Sequence, residues 1–214
     1  SMQKPYMLVF GLQSITMGGA SSHLVFIEGN IGVGKSELLD ALEAKGYVVV
    51  KEAIEEDWTL FERCQNDPAR WGTAFQMQVT NSITNRIEAA LKTNNGKWPI
   101  FVERSILSAY LFAKVNYDLG SLSFDELRVI REISLKLNDR FKTYISATIQ
   151  LECPVDECLR RIKQRSRVGE ENISADYLDK IKQGYADAQE AGWMSVDATQ
   201  SRDRVLADVL ELIK

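Results

Sequence analysis

The chain has 214 residues, of which 45% are hydrophobic and 26% are charged, and it carries a net charge of −4. This length suits one α/β domain with a sizeable core, and the composition is that of an ordinary globular protein. The acidic balance supplies no general basic field, so we expect no nucleic-acid partner. No apolar run approaches the ~18 residues of a membrane-spanning helix, so we expect no membrane partner either.

The cysteines indicate the cellular compartment, and the first residues indicate where the domain begins. Cys64, Cys153 and Cys158 are too few for a disulfide framework and lack the companions of a zinc site. They indicate reduced thiols and a cytoplasmic protein, with a mitochondrial location left open. We interpret residues 1–22 as a leader, either flexible or forming an extra edge strand. Residues 23–214 are predicted to form a single domain.

Strand-like and helix-like segments alternate along the first half of the domain. The pattern predicts a strand, a helix, a second strand, a long helix and a third strand. The strands are uniformly apolar, as is typical of a parallel sheet covered on both faces. An asparagine-glycine run at 94–96 predicts the end of the long helix. The predicted bounds are 24–28, 36–44, 47–51, 73–92 and 99–102.

The second half continues the alternation with two helices, a fourth strand, two helices, a fifth strand and a last helix. Ser123 and Glu126 have the spacing of a capping box, and Pro154 is placed to open a helix. Five strands separated by helices predict a three-layer α/β fold with a doubly wound parallel sheet. The predicted bounds are 105–117, 123–138, 145–151, 154–164, 174–190, 193–197 and 201–213.

A glycine-rich segment after the first strand satisfies the pattern G-x-x-x-x-G-K-[ST] in full. The strand before it and the amphipathic helix after it indicate a phosphate-binding loop and a fold of the P-loop NTPase type. Backbone N–H groups and the positive end of the helix would surround the phosphates. We expect Lys35 to reach the β- and γ-phosphates and Ser36 to ligate Mg²⁺. The segment comprises Gly29, Asn30, Ile31, Gly32, Val33, Gly34, Lys35 and Ser36.

Charged residues follow the second and third strands directly. Glu52 comes after the second strand, and Glu103 and Arg104 come after the third. In open α/β sheets, ligands bind at this edge. A carboxylate there can take a proton from an acceptor hydroxyl, and an arginine can stabilise a transferring phosphoryl group. The sequence therefore predicts a phosphotransferase that uses a nucleoside triphosphate with Mg²⁺.

These motifs resemble those of the deoxyribonucleoside kinase family over most of residues 24–214. The family pattern is a P-loop, a glutamate after the second strand, Glu-Arg-Ser after the third strand, and an arginine-rich lid. Residues 26–36, 102–105 and 161–173 match its first, third and last parts. The resemblance implies ATP-dependent phosphorylation of the 5′-hydroxyl of a deoxyribonucleoside in nucleotide salvage, with a lid at about 161–172.

By position, the resemblance implies a role for each matching residue. Glu52 would activate the 5′-hydroxyl, Arg104 would hold that hydroxyl and stabilise transition-state charge, and Glu103 would assist the magnesium ion with Ser36. Glu170 would bind the sugar 3′-hydroxyl, and Phe112 would stack on the base. The other assignments are Arg161, Arg165, Arg167 and Asp197 to ATP, and Trp58, Ala109 and either Gln76 or Gln78 to the nucleoside.

The segment around Glu52 departs from the family pattern. Ala53 stands where the family has proline, and Gln65 stands where many members have a sugar-contacting tyrosine. Trp58 comes one residue later than in the animal and herpesvirus branches. This spacing leaves Glu55 or Glu56 as alternatives to Glu52 for the base.

The segment after Glu-Arg-Ser bears on the nucleobase. Cytosine- and purine-preferring members place an aspartate there, which can accept from an exocyclic amine, whereas this chain has Ala109 in a segment without acid. The difference favours thymidine or broad pyrimidine specificity.

Two other functions compete with this one. A nucleoside monophosphate kinase of the thymidylate kinase type shares the loop, sheet and lid, but typically has Asp-Arg-Tyr where this chain has Glu-Arg-Ser at 103–105. A regulatory protein that binds the nucleotide without turnover is disfavoured because both Glu52 and Arg104 are retained. The long apolar helices at 73–92 and 105–138, together with the resemblance, predict a homodimer.

Overall fold

The computed structural model describes residues 23–54, 56–94, 97–167, 169–188 and 193–214. The predictions for residues 1–22, for Glu55, for 95–96 and for the helix end at 189–190 lie outside these ranges. The described residues form one five-stranded sheet, in which every neighbouring pair is parallel and the order is β2-β3-β1-β4-β5. The predicted doubly wound α/β fold is therefore confirmed. The strands are β1 (Leu24–Gly29), β2 (Val48–Val50), β3 (Ile100–Glu103), β4 (Ile145–Glu152) and β5 (Met194–Asp197).

Eight helices in the described residues cover the sheet and extend beyond it. All the predicted helices are present within a few residues of their predicted bounds, except that the long one begins at Pro68 instead of 73. The capping box of Ser123 and Glu126 is formed. The helices are α1 (Lys35–Ala44), α2 (Phe61–Asn66), α3 (Pro68–Thr93), α4 (Ile106–Asp118), α5 (Phe124–Asp139), α6 (Val155–Arg165), α7 (Ala175–Ala188) and α8 (Arg202–Leu212).

The early start of α3 and the presence of α2 correct the sequence analysis. Asp67 caps α3, because its side chain accepts from the backbone N–H of Arg70 at 3.2 Å, and Pro68 occupies the first helical position. Gly72 lies inside the helix, where a Cβ would be 3.0 Å from the side chain of Leu122. Helix α2, which was not predicted, has one buried residue, Cys64.

Strand β1 shows why the sequences of the strands are uniformly apolar. Leu24 and Phe26 pack on the side of the sheet covered by α3, whereas Val25 and Ile27 pack on the side covered by α1, α6, α7 and α8. All four side chains are at most 2% exposed. Burial of each such side chain stabilises the fold by roughly 1.5–3 kcal/mol.

The parallel sheet brings three chain segments to one edge. Strand β1 ends at Gly29 and β3 ends at Glu103, and Ile27 is in register with Glu103. Glu52 comes just after β2, whose Val50 is in register with Val102. The phosphate loop, Glu52 and Glu103 therefore meet at the carboxyl edge of the sheet, as predicted. Within the described ranges, no helix is both long enough and apolar enough to cross a membrane.

Candidate active site

The phosphate loop depends on glycines at positions where other residues are strained. Gly29, Gly32 and Gly34 have φ angles of 138°, 77° and 109°. A Cβ on Gly29 would be 2.6 Å from the carbonyl oxygen of Leu151, and one on Gly32 would be 2.6 Å from that of Cys158. The loop is therefore packed against β4 and α6, and only glycine allows this approach.

Lys35 lies folded across the phosphate loop. Its Nζ donates to the carbonyl oxygens of Gly29, at 3.3 Å, and Asn30, at 3.0 Å. Burial and then the charge of Arg104 lower the pKa of Lys35 to about 8, although the nearby carboxylates, Glu52 first, oppose this shift. A buried ammonium group of this kind is prepared to accept an anionic partner.

Glu103 connects the phosphate loop to the residue after β2. Its Oε1 accepts from the Ser36 hydroxyl at 3.0 Å, and its Oε2 accepts from the backbone N–H of Glu52 at 3.2 Å. The residue is 3% exposed. Burial and then the neighbouring Glu52 carboxylate raise the pKa of Glu103. A cation near these oxygens would relieve the cost of keeping the carboxylate charged.

Arg104 has the most constrained side chain of the site. Its Nε donates to Glu52 Oε1 at 2.7 Å, and its Nη1 donates to the Gly29 carbonyl at 2.8 Å and to the Tyr185 hydroxyl at 2.6 Å. The guanidinium also lies over the Phe112 ring, 4.7 Å from its centroid. Glu52 and Arg104, which were predicted to act together, are thus in direct contact.

Glu28 belongs to this network, although the sequence analysis did not single it out. It is 1% exposed and accepts from the Ser105 N–H at 2.8 Å, from the Ser108 hydroxyl at 2.8 Å and from the Tyr185 hydroxyl at 3.0 Å. The available signal was a carboxylate at the end of an otherwise apolar strand, directly before the first loop glycine.

A cavity of about 340 Å³ extends from the phosphate loop between α3, α4 and the segment after α6. Trp58 lines it and packs edge-on against Phe75, with ring centroids 5.4 Å apart. Other lining residues that the sequence analysis did not name are Ile83, Arg86 and Asn116. The predicted residues that line it are Ile31, Gly32, Gly34, Lys35, Ser36, Glu52, Trp58, Gln76, Glu103, Arg104, Ala109, Phe112, Arg165, Arg167 and Glu170.

The two glutamines on α3 have different surroundings. Gln76 is 4% exposed and lines the cavity, and its amide makes no hydrogen bond to any described residue. The Gln78 amide instead accepts from the Leu60 N–H at 3.0 Å and donates to the Thr59 hydroxyl at 2.8 Å. Gln78 therefore stabilises the loop before α2, and Gln76 is the glutamine available to a ligand.

The three lid arginines also differ. Arg161 donates to the carbonyl oxygens of Val33, at 2.9 Å, and Ala198, at 3.0 Å, and so braces the phosphate loop. Ala198 follows Asp197, an exposed residue whose carboxylate accepts from the N–H and hydroxyl of Thr199.

Arg165 and Arg167 line the cavity instead. Arg165 binds both carboxylate oxygens of Glu170, with Nε–Oε2 2.8 Å and Nη2–Oε1 2.5 Å, while Arg167 lies 3.8 Å from Glu170. The described part of the lid therefore holds Glu170 between two guanidinium groups.

The chemistry of Ser36 and Glu103 fits a magnesium ion. The Ser36 hydroxyl and a buried carboxylate oxygen lie 3.0 Å apart at the mouth of the phosphate loop. Both are hard oxygen ligands, and Mg²⁺ in such sites takes one or two protein oxygens together with phosphates and water.

The chain is similar to known kinases. A model of the deoxynucleoside kinase family matches residues 25–209. The probable deoxycytidine kinase of fowlpox virus is 34% identical over 161 residues, which span 73% of this chain and 67% of the relative. The thymidine kinase of Ictalurid herpesvirus 1 is 31% identical in an alignment that covers 89% of this chain and 86% of the relative.

A solved structure shares the fold. The deoxyadenosine kinase from M. mycoides with bound dATP superposes with a TM-score of 0.75 at 22% identity, covering 89% of this chain and 98% of that one. The family match covers nearly the whole described domain, including the phosphate loop, Glu-Arg-Ser and the lid arginines. This chain therefore belongs to the deoxynucleoside kinase family and is a kinase that phosphorylates nucleosides.

Proposed function

We propose that the chain transfers the γ-phosphoryl group of ATP to the 5′-hydroxyl of a pyrimidine deoxyribonucleoside, with thymidine as the leading acceptor. The observation that supports this most directly is a single cavity with two chemically different ends. Glu52 and Arg104 line it beside the phosphate loop, with Phe112 packed against the Arg104 guanidinium. Gln76 lines it from α3, and Trp58 also lines it and packs on Phe75 of that helix. An acceptor that spans both ends needs a hydroxyl at one end and a planar base at the other.

Glu52 is the group we assign to proton abstraction. Its Oε1 accepts from Arg104, and its Oε2 has no hydrogen-bond partner in the part of the chain that the structure describes. Oε2 is thus available to an acceptor hydroxyl, while Arg104 holds the carboxylate in place. The alternative base Glu56 pairs instead with Arg86, at 3.2 Å.

The phosphates of ATP would lie on the loop. Lys35 would leave the two carbonyls for the β- and γ-phosphates, and Arg165 and Arg167 would contact the phosphates from the lid side. Ser36 and Glu103 would hold Mg²⁺, which supplies charge neutralisation to the phosphate oxygens when bound. Arg161 braces the loop from behind and keeps its N–H groups directed inward.

The preference for a pyrimidine rests on the walls around Gln76. The primary amide can pair with a carbonyl and an N–H on the edge of a base. None of the α3 or α4 residues that line the cavity is acidic, and Ile83 and Ala109 are apolar. An exocyclic amine would therefore find no carboxylate on α3 or α4, whereas the carbonyl and methyl groups of thymine would meet the apolar side chains of Ile83 and Ala109.

A coupled assay of ADP release tests this function. The panel contains each deoxynucleoside and each deoxynucleoside monophosphate with ATP and Mg²⁺. We expect the highest kcat/KM with thymidine, measurable turnover with deoxycytidine, and none with the monophosphates. Turnover restricted to thymidine monophosphate would instead support the thymidylate kinase type. ATP binding without turnover on any acceptor would support the regulatory alternative.

Ala109→Asp should change the base preference. A carboxylate at this position would face the thymine carbonyl unpaired but could accept from the cytosine amine. We expect the ratio of kcat/KM for thymidine to that for deoxycytidine to fall by about 10- to 100-fold. Ala109→Asn, which adds the same volume without the charge and can also donate, is the matched control and should change the ratio less. An unchanged ratio in the aspartate variant would place the base elsewhere.

We also propose a homodimer. Large apolar side chains are exposed on α5 and at the end of α4, including Phe124 at 60%, Val129 at 44% and Leu119 at 43%. Such a surface on paired helices is typical of an isologous interface. Light scattering at micromolar concentration should give a mass near twice 24.2 kDa. A mass of one chain would contradict the proposal.

A further inference from the structure

Arg104 is held in a conformation that it would not adopt by itself. Its φ angle is 62°, in the left-handed region that side chains with a Cβ disfavour. Residues in this region persist where the surrounding contacts over-determine them, and they cluster at sites where geometry matters. The contacts that hold Arg104 therefore bear on the placement of its guanidinium group.

Backbone and side-chain contacts share this task. The Arg104 N–H donates to the Ile27 carbonyl at 3.0 Å, and the following N–H, of Ser105, donates to Glu28 at 2.8 Å. In the side chain, Nε is bound to Glu52 and Nη1 to both Gly29 and Tyr185. Nη2 has no hydrogen-bond partner within the described ranges, so it is the nitrogen left for a reacting group.

Tyr185 is the contact from a distant part of the chain. It lies on α7, which follows the lid, and it is 1% exposed. Its hydroxyl accepts from Arg104 Nη1 at 2.6 Å and donates to Glu28 Oε2 at 3.0 Å. Burial raises the pKa of the Tyr185 phenol, which therefore stays a donor to Glu28.

Helix α7 is itself fixed to the phosphate loop. The Asn30 side-chain amide donates to the Leu178 carbonyl at 2.8 Å, two turns before Tyr185. Helix α7 is thus hydrogen-bonded both to the phosphate loop, through Leu178, and to the Arg104 guanidinium, through Tyr185. It therefore fixes the position of the guanidinium relative to the loop.

We propose that Tyr185 is a positioning residue. Its hydroxyl bridges Glu28 and Arg104 by hydrogen bonds and so fixes the direction in which Arg104 Nη2 faces the transferring phosphoryl group. This inference rests on the proposed function, and it adds a residue to which the family motifs assign no role. The aromatic ring fills the core, and the hydroxyl supplies the positioning. Phenylalanine at 185 would keep the first property and lose the second.

The first experiment compares Tyr185→Phe with the wild-type protein in the thymidine assay. We expect kcat to fall by about 10- to 100-fold, as for loss of one hydrogen bond to a charged group, with the KM values for ATP and thymidine within a few-fold. The melting temperature should change by only a few degrees, because Glu28 keeps Ser105 and Ser108. Tyr47→Phe is the matched control, since Tyr47 packs edge-on against Phe101 away from the cavity, and it should keep wild-type kcat.

The second experiment asks whether Tyr185 acts through Arg104. Lysine at 104 has one side-chain nitrogen and no Nη2, so in an Arg104→Lys background the tyrosine hydroxyl has no guanidinium group to position. If Tyr185 acts through Arg104, Tyr185→Phe should lower kcat in that background by less than about threefold. The double-mutant cycle of the two positions would then be strongly non-additive.

Three results would overturn the positioning role. One is an unchanged kcat in Tyr185→Phe, another is an equal loss of kcat in both backgrounds, and the third is a parallel loss of kcat, nucleotide affinity and melting temperature. A wild-type protein without nucleoside-dependent turnover would overturn the proposed function as well. Wild-type turnover with any of the three results would overturn the positioning role alone.

Discussion

Glu52→Gln should lower kcat by about 10²- to 10⁴-fold while leaving the KM for the nucleoside within a few-fold. Glutamine keeps the shape of the side chain and can still accept from Arg104 Nε, but it cannot take the proton of the acceptor hydroxyl. Steady-state kinetics with thymidine at saturating ATP and Mg²⁺ would measure the effect.

Glu103→Gln is the matched control, because both carboxylates lie at the same edge of the sheet. Glu103 is bound to Ser36 and to the Glu52 N–H, away from the acceptor hydroxyl. Its glutamine variant should need more Mg²⁺ for half-maximal rate, and excess Mg²⁺ should restore much of the activity. Near-normal kcat in Glu52→Gln, or its rescue by Mg²⁺, would mean that another group takes the proton.

Lys35→Ala should lower kcat/KM by about 10²- to 10³-fold, as loss of one electrostatic contact to the transferring group typically does. The variant should fold, because burial disfavours the charged ammonium group, and its removal relieves a cost that offsets the loss of its two hydrogen bonds. Circular dichroism and thermal melting would verify the fold, and ADP release would measure the activity.

Lys45 lies just beyond the other end of α1 and is exposed, so Lys45→Ala makes a suitable comparison. It should retain wild-type kinetics and stability. If Lys35→Ala also kept wild-type turnover, the phosphate loop would not bind the donor in the way we propose.

The sheet and the catalytic edge could be predicted because each depends on local chemistry. Three glycines with positive φ, a lysine and a serine form the loop wherever a strand and a helix flank them. The residues after β2 and β3 reach the same edge because parallel strands end together. The placement of Glu52 beside Arg104 follows from those two facts, and the structure shows the contact.

The helix at α2 and the start of α3 could not be predicted with the same rules. Helix α2 is six residues long with a single buried side chain, so it has no periodic pattern to recognise. The first turns of α3 contain Gly72 and Thr73, which are poor helix formers, and Leu122 packs closely against the glycine. The Asp-Pro pair at 67–68 was the local signal for the true start.

The hydrogen-bond partners of buried polar groups could not be predicted from the sequence either. Tyr185 follows Leu178 and Ile181 at helical spacing and therefore looks like another core residue. Arg161 has the spacing of a lid arginine, but it donates to the carbonyl oxygens of Val33 in the phosphate loop and of Ala198 after β5. Spacing along a helix shows which side chains share a face, whereas the groups opposite them come from parts of the chain that are distant in sequence.

The hydrogen bond between Ser36 and Glu103 has a consequence for the order in which ligands arrive. These two groups satisfy each other at 3.0 Å, so a magnesium ion that arrives alone would have to compete with an internal hydrogen bond. A nucleotide that brings its own ion supplies phosphate oxygens to complete the coordination sphere. The protein should therefore select the preformed complex of Mg²⁺ and ATP over either component, and it should have little affinity for divalent ions when no nucleotide is present.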